Sequence, residues 1–304
     1  MDYNCFLKEI LRCINEIMPK NSMAEIQTTR KNNGVLLDSL IIRRPDDMVC
    51  PNIYLGPFYD EYRNGASVGK VASDIIDAYM AAEPARQIDA DELINHDVIC
   101  RNVVYRLINY ECNSGLLDDV PHEQFLDLAL IYYVLVHIDG IGEGAVMVRN
   151  DFLDYYSLTG AQLRESAYRN THRLLPSDFL KITDLLREYG EKSGAKSYSD
   201  IALEEDSEAA PLYVLTNKSR QFGAYYMTDM ELLSGIAARL NTDLYILPSS
   251  VHECMVVPAD MWDEPETLSS MVREINHSHV SKDEFLSDTV YRFINEEKRM
   301  KIAV

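Results

Sequence analysis

The longest apolar segment of the chain is the feature that most limits its fold. Residues 125–138 are almost all aliphatic or aromatic, and only Asp127 and His137 interrupt them. The segment falls well short of the ~20 apolar residues that a membrane-spanning helix needs. Asp139 and Gly140 follow it as turn residues. We therefore interpret it as a buried β-strand, and we expect no transmembrane segment.

Periodic patterns predict helices and further strands. Apolar residues recur every three to four positions from Phe6 to Met18 and from Val68 to Tyr79, which predicts two amphipathic helices. Asn32-Asn33-Gly34 separates two β-like runs, residues 24–31 and 35–43, and predicts a hairpin. Three pairs have the spacing of a capping box at a helix start, namely Thr159 with Gln162, Thr228 with Glu231, and Asp263 with Glu266. We also predict strands over 98–110 and 290–294, a helix over 178–189, a last short helix that begins with Ser281-x-x-Glu284, and a charged tail over 296–301.

Strands and helices interleave without the regular crossovers of a doubly wound sheet. We therefore expect an α+β fold with mixed or mostly antiparallel sheets, packed helices and two lobes. Residues 191–210 mix Gly, Ser, Lys and acidic residues, which is typical of a linker. The predicted division is an N-terminal lobe over 1–190, an acidic linker over 191–210 and a C-terminal lobe over 211–304.

The charge of the chain limits its partners. The 29 Lys and Arg against 49 Asp and Glu give a formal net charge of −20. Such a chain repels phosphate, so conventional nucleic-acid binding and docking on anionic lipid are not expected, whereas a basic protein partner is. The six cysteines are scattered without a Cys-x-x-Cys pair, and no signal peptide is apparent, so we expect a cytoplasmic protein. No oligomeric state follows from the sequence.

The segment from Leu247 to Glu253 has the strongest functional character. It places Ser249, Ser250, His252 and Glu253 on a connection between two predicted strands, and such connections often carry sites. His252 and Glu253 are candidate catalytic groups. The structural alternative is that the serines satisfy turn amides and His252 is a hydrogen-bonded structural residue.

Two further groups are candidates. His122 precedes the apolar segment and could act as an acid or a base, or could cap the strand entry. Asn109, Tyr110 and Glu111 end the neighbouring predicted strand and would meet His122 if the two strands pair. Asn217 and Lys218 end another strand and could contact an anion or form a simple turn. No metal-ligand, phosphate-loop or dinucleotide motif is present, so no metal or cofactor is predicted.

Several short sequence segments together resemble those of a known family. They are Leu107–Glu111, Val120–His122 with Phe125–Ala129, Asn170-Thr171 with Leu174–Pro176, Tyr213–Lys218, and Tyr245–Glu253. Their order, from about Asn52 to Arg292, resembles an uncharacterised domain-of-unknown-function family of anaerobic gut bacteria, encoded in part on mobile elements. That family has no established activity, so the resemblance implies no catalytic residue.

Three functions stay open at this point. The acidity and the absence of a catalytic motif favour a non-catalytic protein that binds another macromolecule through an acidic surface. A hydrolase would use His252, Glu253 and His122. A small-molecule sensor would hold its ligand in a pocket between the predicted lobes.

Overall fold

A computed structural model describes residues 1–19, 21–44, 50–82, 93–138, 142–185, 187, 211–262 and 264–304. The chain divides into two compact units, residues 1–99 with 134–146 and residues 100–133 with 147–304. The predicted acidic linker, 191–210, lies outside the described residues. The predicted lobe boundaries therefore stay a prediction.

The first unit is built on a three-stranded antiparallel sheet with helices against it. The sheet has the order β1–β2–β3, and its first hairpin pairs Met23 with Arg43 and Arg30 with Leu36. Phe6, Ile10 and Ile14 on α1 are fully buried, as the helical period predicted. The bounds are α1 Tyr3–Ile17, β1 Met23–Arg30, β2 Leu36–Arg43, β3 Ile53–Tyr54, α2 Gly56–Arg63, α3 Val68–Ala82 and α4 His96–Asn102, whose last three residues lie in the second unit.

A second sheet is centred on the apolar segment. Its strands have the order β4–β6–β5, and β7 also pairs with β6. The bounds are β4 Val103–Asn109, α5 Ser114–Leu117, β5 His122–Phe125, β6 Leu128–Ile138 and β7 Gly142–Met147. The segment predicted as one strand is thus a hairpin, because Leu126 adopts a positive φ of 55° between β5 and β6.

The second unit contains a six-stranded sheet of order β13–β12–β10–β11–β9–β8, in which neighbouring strands pair antiparallel. Together with the helices, these antiparallel sheets confirm the predicted α+β class. The bounds are α6 Asn150–Tyr155, α7 Gly160–Leu174, β8 Ser177–Lys181, β9 Tyr213–Asn217, α8 Met230–Leu240, β10 Leu244–Ser250, β11 Glu253–Pro258, α9 Pro265–His279, β12 Tyr291–Ile294 and β13 Arg299–Ile302.

Several predicted elements are corrected by the structure. Residues 98–102 are helical, because α4 runs to Asn102 before β4 begins. Residues 178–181 belong to β8, although a helix was predicted over 178–189, because β8 pairs with β9 from Ser177↔Asn217 to Lys181↔Tyr213. Residues 182–185 and 187 are helical, as predicted. Residues 281–284 form turns and not a helix. The predicted tail contains β13, whose backbone pairs with β12.

Candidate functional site

The segment around His252 lies where several secondary-structure elements meet. We call Arg106, Tyr133, Phe222, His252 and Glu284 the His252 cluster. The turn between β10 and β11 carries His252, and its imidazole Nδ1 accepts a hydrogen bond from the backbone N–H of Phe222 at 3.3 Å. Its Nε2 lies 3.5 Å from Glu284 Oε1. A neutral imidazole with its proton on Nε2 fits both contacts.

The backbone around His252 is held tightly. Thr216 Oγ1 donates to the carbonyl oxygen of His252 at 2.8 Å, and the His252 N–H donates to Ser250 Oγ at 3.1 Å. A Cβ on Gly223 would collide with the same carbonyl and with Thr216 Oγ1. Phe222 adopts a positive φ of 59°, which is costly for a bulky residue. The segment before Gly223 therefore has little freedom.

Arg106 of β4 approaches the cluster from the second sheet. Its guanidinium carbon lies 5.4 Å from the ring centre of Tyr133 and 5.1 Å from that of Phe222. The two rings are 5.4 Å apart, so the three groups form a nearly equilateral triangle, with the guanidinium over a platform of two rings. The Phe222 ring also stacks on His252 at 6.3 Å and 13°.

Burial shifts two of the three predicted catalytic groups, His252 and Glu253, towards their neutral forms. Burial lowers the pKa of His252, Glu284 opposes that effect, and the charge of Arg106 adds to it. Burial raises the pKa of Glu253, and Arg220 opposes it. Ionisable groups whose pKa values are shifted in this way are common at functional sites.

Nucleophiles are not aligned with this imidazole in the described part of the chain. The ring nitrogens of His252 contact Phe222 and Glu284, and Ser250 Oγ instead accepts from the His252 backbone. Burial raises the pKa of the Cys254 thiol, which lies fully buried against the carbonyl of Ala224. Ser249 lies in β10, and its side chain is outside the described residues.

The second predicted group is partly assembled. Tyr110 meets His122 edge to face, with ring centres 6.1 Å apart, while His122 Nδ1 donates to the carbonyl of Val120 at 3.1 Å. In the part of the chain that the structure describes, Asn109 does not hydrogen-bond to His122 but makes two side-chain hydrogen bonds to the backbone. Its Nδ2 donates to Leu286 O at 3.0 Å, and its Oδ1 accepts from Cys112 N at 2.8 Å. Glu111 is exposed. Across the described residues, His122 and His252 share no contact.

Asn217 closes a turn. It is 1% exposed, its Nδ2 donates to Gln221 O, and its Oδ1 accepts from Ser219 Oγ at 2.8 Å. The Lys218 N–H donates to Pro176 O at 3.2 Å, and the residue is exposed. These contacts match the structural alternative for the pair.

Asp127, which the sequence reading treated only as an interruption, holds three hydroxyls. Its Oδ2 accepts from Ser287 at 3.1 Å and Thr289 at 3.0 Å, and its Oδ1 accepts from Tyr291 at 2.7 Å. Asp127 thereby fixes the β5–β6 turn to the segment leading into β12. An acid inside an apolar segment was the only sequence indication of this role.

An open pocket was also missed. It has a volume of about 630 Å³ and is lined by residues of α6 and its C-terminal cap, Asp151, Phe152, Asp154, Tyr155 and Tyr156. Asp151 and Asp154 are exposed, and Tyr155 is 75% exposed. We call these five residues the α6 pocket. Alternation of acids and aromatic rings over 151–156 was the sequence pattern that could have indicated it.

Metal sites and membrane-spanning helices are both absent from the described residues. Within the described ranges, no group of three or more His, Cys, Asp or Glu is placed to hold a metal ion. No helix in the described part of the chain is long and apolar enough to cross a bilayer.

Comparison with known proteins identifies the family and nothing finer. The family described as "Family of unknown function (DUF5688)" matches residues 3–295. The chain therefore belongs to this family, which confirms the resemblance to an uncharacterised family. No curated protein and no solved structure matches.

Proposed function

We propose that this DUF5688 member is a non-catalytic protein that binds a basic segment of another macromolecule through its acidic surface. The α6 pocket is the observation that carries the proposal. It combines two exposed carboxylates with an exposed phenol ring in a chain of net charge −20. We place this function in the cytoplasm.

Carboxylates and aromatic rings together suit an arginine or lysine side chain. The carboxylates of Asp151 and Asp154 supply charge complementarity, and the face of Tyr155 supplies a cation–π contact. The volume of about 630 Å³ lies within the range of ordinary ligand sites. An arginine should bind better than a lysine, because its planar fork can pair with a carboxylate while it stacks on a ring.

Binding of a labelled octa-arginine peptide tests this proposal. The double substitution Asp151→Asn with Asp154→Asn should weaken binding about tenfold or more at low salt, because two carboxylates that would pair with arginine are lost. Fluorescence anisotropy at about 50 and about 300 mM NaCl measures the affinity, which should fall with salt.

The matched control removes the same charge elsewhere. Glu296→Gln with Glu297→Gln neutralises two exposed carboxylates outside the pocket and should change affinity less than twofold or so. Equal losses in both double variants would mean diffuse attraction and would exclude the α6 pocket. Absence of binding by the unsubstituted protein would contradict the proposal itself.

The hydrolase alternative, with His252, Glu253 and His122, stays a prediction. The shifted pKa values of His252 and Glu253 favour it. The contacts of the imidazole with Phe222 and Glu284 favour a structural role, and so does the separate contact set of His122.

A further inference from the structure

We propose that Arg106 anchors a binding site for a small carboxylate, next to His252. This site is independent of the α6 pocket and of the proposed function, because its ligand would be an anion.

Arg106 lacks an acidic partner in the described part of the chain. Its Nη1 lies 3.4 Å from the hydroxyl of Tyr133, and its Nε is buried without a hydrogen-bond partner. A guanidinium has five N–H donors, and leaving a buried charged donor unpaired is costly. In a chain with 49 acidic residues against 29 basic ones, an arginine without a carboxylate is unexpected.

Arg292 shows how the same chain completes such an arrangement. Its guanidinium also lies over a ring, that of Tyr245, at 5.7 Å. There Asp243 Oδ2 accepts from Nε at 3.3 Å and from Nη2 at 2.9 Å. Arg106 has the aromatic platform, but the corresponding Nε edge meets no carboxylate. A carboxylate supplied by a ligand would complete it.

The surroundings favour a carboxylate in particular. Tyr133 and Phe222 both lie within cation–π distance of the guanidinium. The remaining N–H groups of the guanidinium fork suit a planar carboxylate, which can pair with two of them at once. The imidazole of His252 stacks on the Phe222 ring, and its Nε2 lies beside Glu284. Because Arg106 Nε is buried, only a small ligand could reach it.

Thermal unfolding in sodium acetate and in sodium chloride at equal ionic strength tests the proposal. Acetate should raise the melting temperature of the unsubstituted protein by about 2 °C more than chloride once it is well above its dissociation constant. In Arg106→Gln this difference should disappear. Arg106→Lys keeps the charge without the fork and should reduce the difference, even if Arg106→Gln folds poorly.

Arg149→Gln is the matched control, because Arg149 is an exposed arginine paired with Asp119; it should keep the full acetate effect. Equal melting temperatures in acetate and chloride for the unsubstituted protein would overturn the proposal. So would an acetate effect that persists in both Arg106 variants. A larger effect of inorganic phosphate than of acetate would overturn the assignment to carboxylates. None of these results depends on whether octa-arginine binds.

Discussion

Gly223 lies against the carbonyl of His252 and the side chain of Thr216, with no space for a Cβ. Gly223→Ala must displace that backbone or break the hydrogen bond from Thr216 to His252. We expect it to lower the free energy of unfolding by about 2–3 kcal/mol. Urea denaturation followed by circular dichroism measures the change.

Gly235 provides the control for this prediction. It lies exposed in the middle of α8, and a Cβ there meets nothing within 4 Å. Alanine should therefore raise the free energy of unfolding by about 0.5–1 kcal/mol, because glycine is unfavourable inside a helix. Changes of the same sign in Gly223→Ala and Gly235→Ala would contradict this account of the His252 turn.

Single residues of the candidate site were only partly predictable. The sequence placed His252 on a connection between strands, and it lies there. It could not indicate that Arg106, Tyr133 and Phe222 meet His252, because they come from segments far apart in the chain. Arg106 did have a local indication, since it is a lone cation inside the apolar strand β4. A cation in such a strand needs tertiary partners, which only the fold reveals.

At the scale of elements, the start of α8 illustrates the limit of motif spacing. The spacing of Thr228 and Glu231 predicted a capping box, but Asp229 is the N-cap. Asp229 Oδ1 accepts from the backbone N–H of Glu231 at 3.1 Å and of Leu232 at 3.0 Å, and its Oδ2 lies 2.9 Å from His172 Nε2. An acid next to a threonine competes for the same amides, and here the acid caps the helix.

This assignment predicts unequal effects of two neighbouring substitutions. Asp229→Ala should lower the free energy of unfolding by about 1–2 kcal/mol, because α8 loses its cap and His172 loses its carboxylate. Thr228→Ala should cost less, since the Thr228 hydroxyl donates only to the carbonyl of Tyr225 within the described residues. Chemical denaturation compares them, and a larger loss for Thr228→Ala would contradict the assignment.

Elements with strong local patterns were predicted well. The amphipathic period of α1, the hairpin of β1 and β2, and the Thr159–Gln162 capping box are all present. The start of the helix predicted over 178–189 is instead the strand β8, because its identity depends on pairing with β9, more than thirty residues later in the chain. Tertiary pairing of this kind overrides local preference.

At the scale of the whole molecule, the interleaved strands and helices predicted the α+β class, and the predicted lobe boundaries stay a prediction. The chain leaves the first unit after residue 99 and returns to it over residues 134–146. Local sequence patterns carry no information on such a return, because it depends on contacts between segments far apart in the chain.

The net charge of −20 gives a prediction for the molecule as a whole. Like charges repel most when the chain is compact, so screening should stabilise the folded state. Raising NaCl from about 20 to about 200 mM should therefore raise the melting temperature, because the screening length falls below about 10 Å. Exposed ion pairs such as Arg12 with Glu9 oppose this change, but each contributes little.

Arg106→Gln is the control for this prediction. Calorimetry should show the same rise of the melting temperature in Arg106→Gln, because screening is a global effect. A rise confined to the unsubstituted protein would indicate chloride bound at Arg106. A melting temperature that falls with salt in both proteins would mean that local pairs, and not the overall repulsion, dominate the electrostatic free energy.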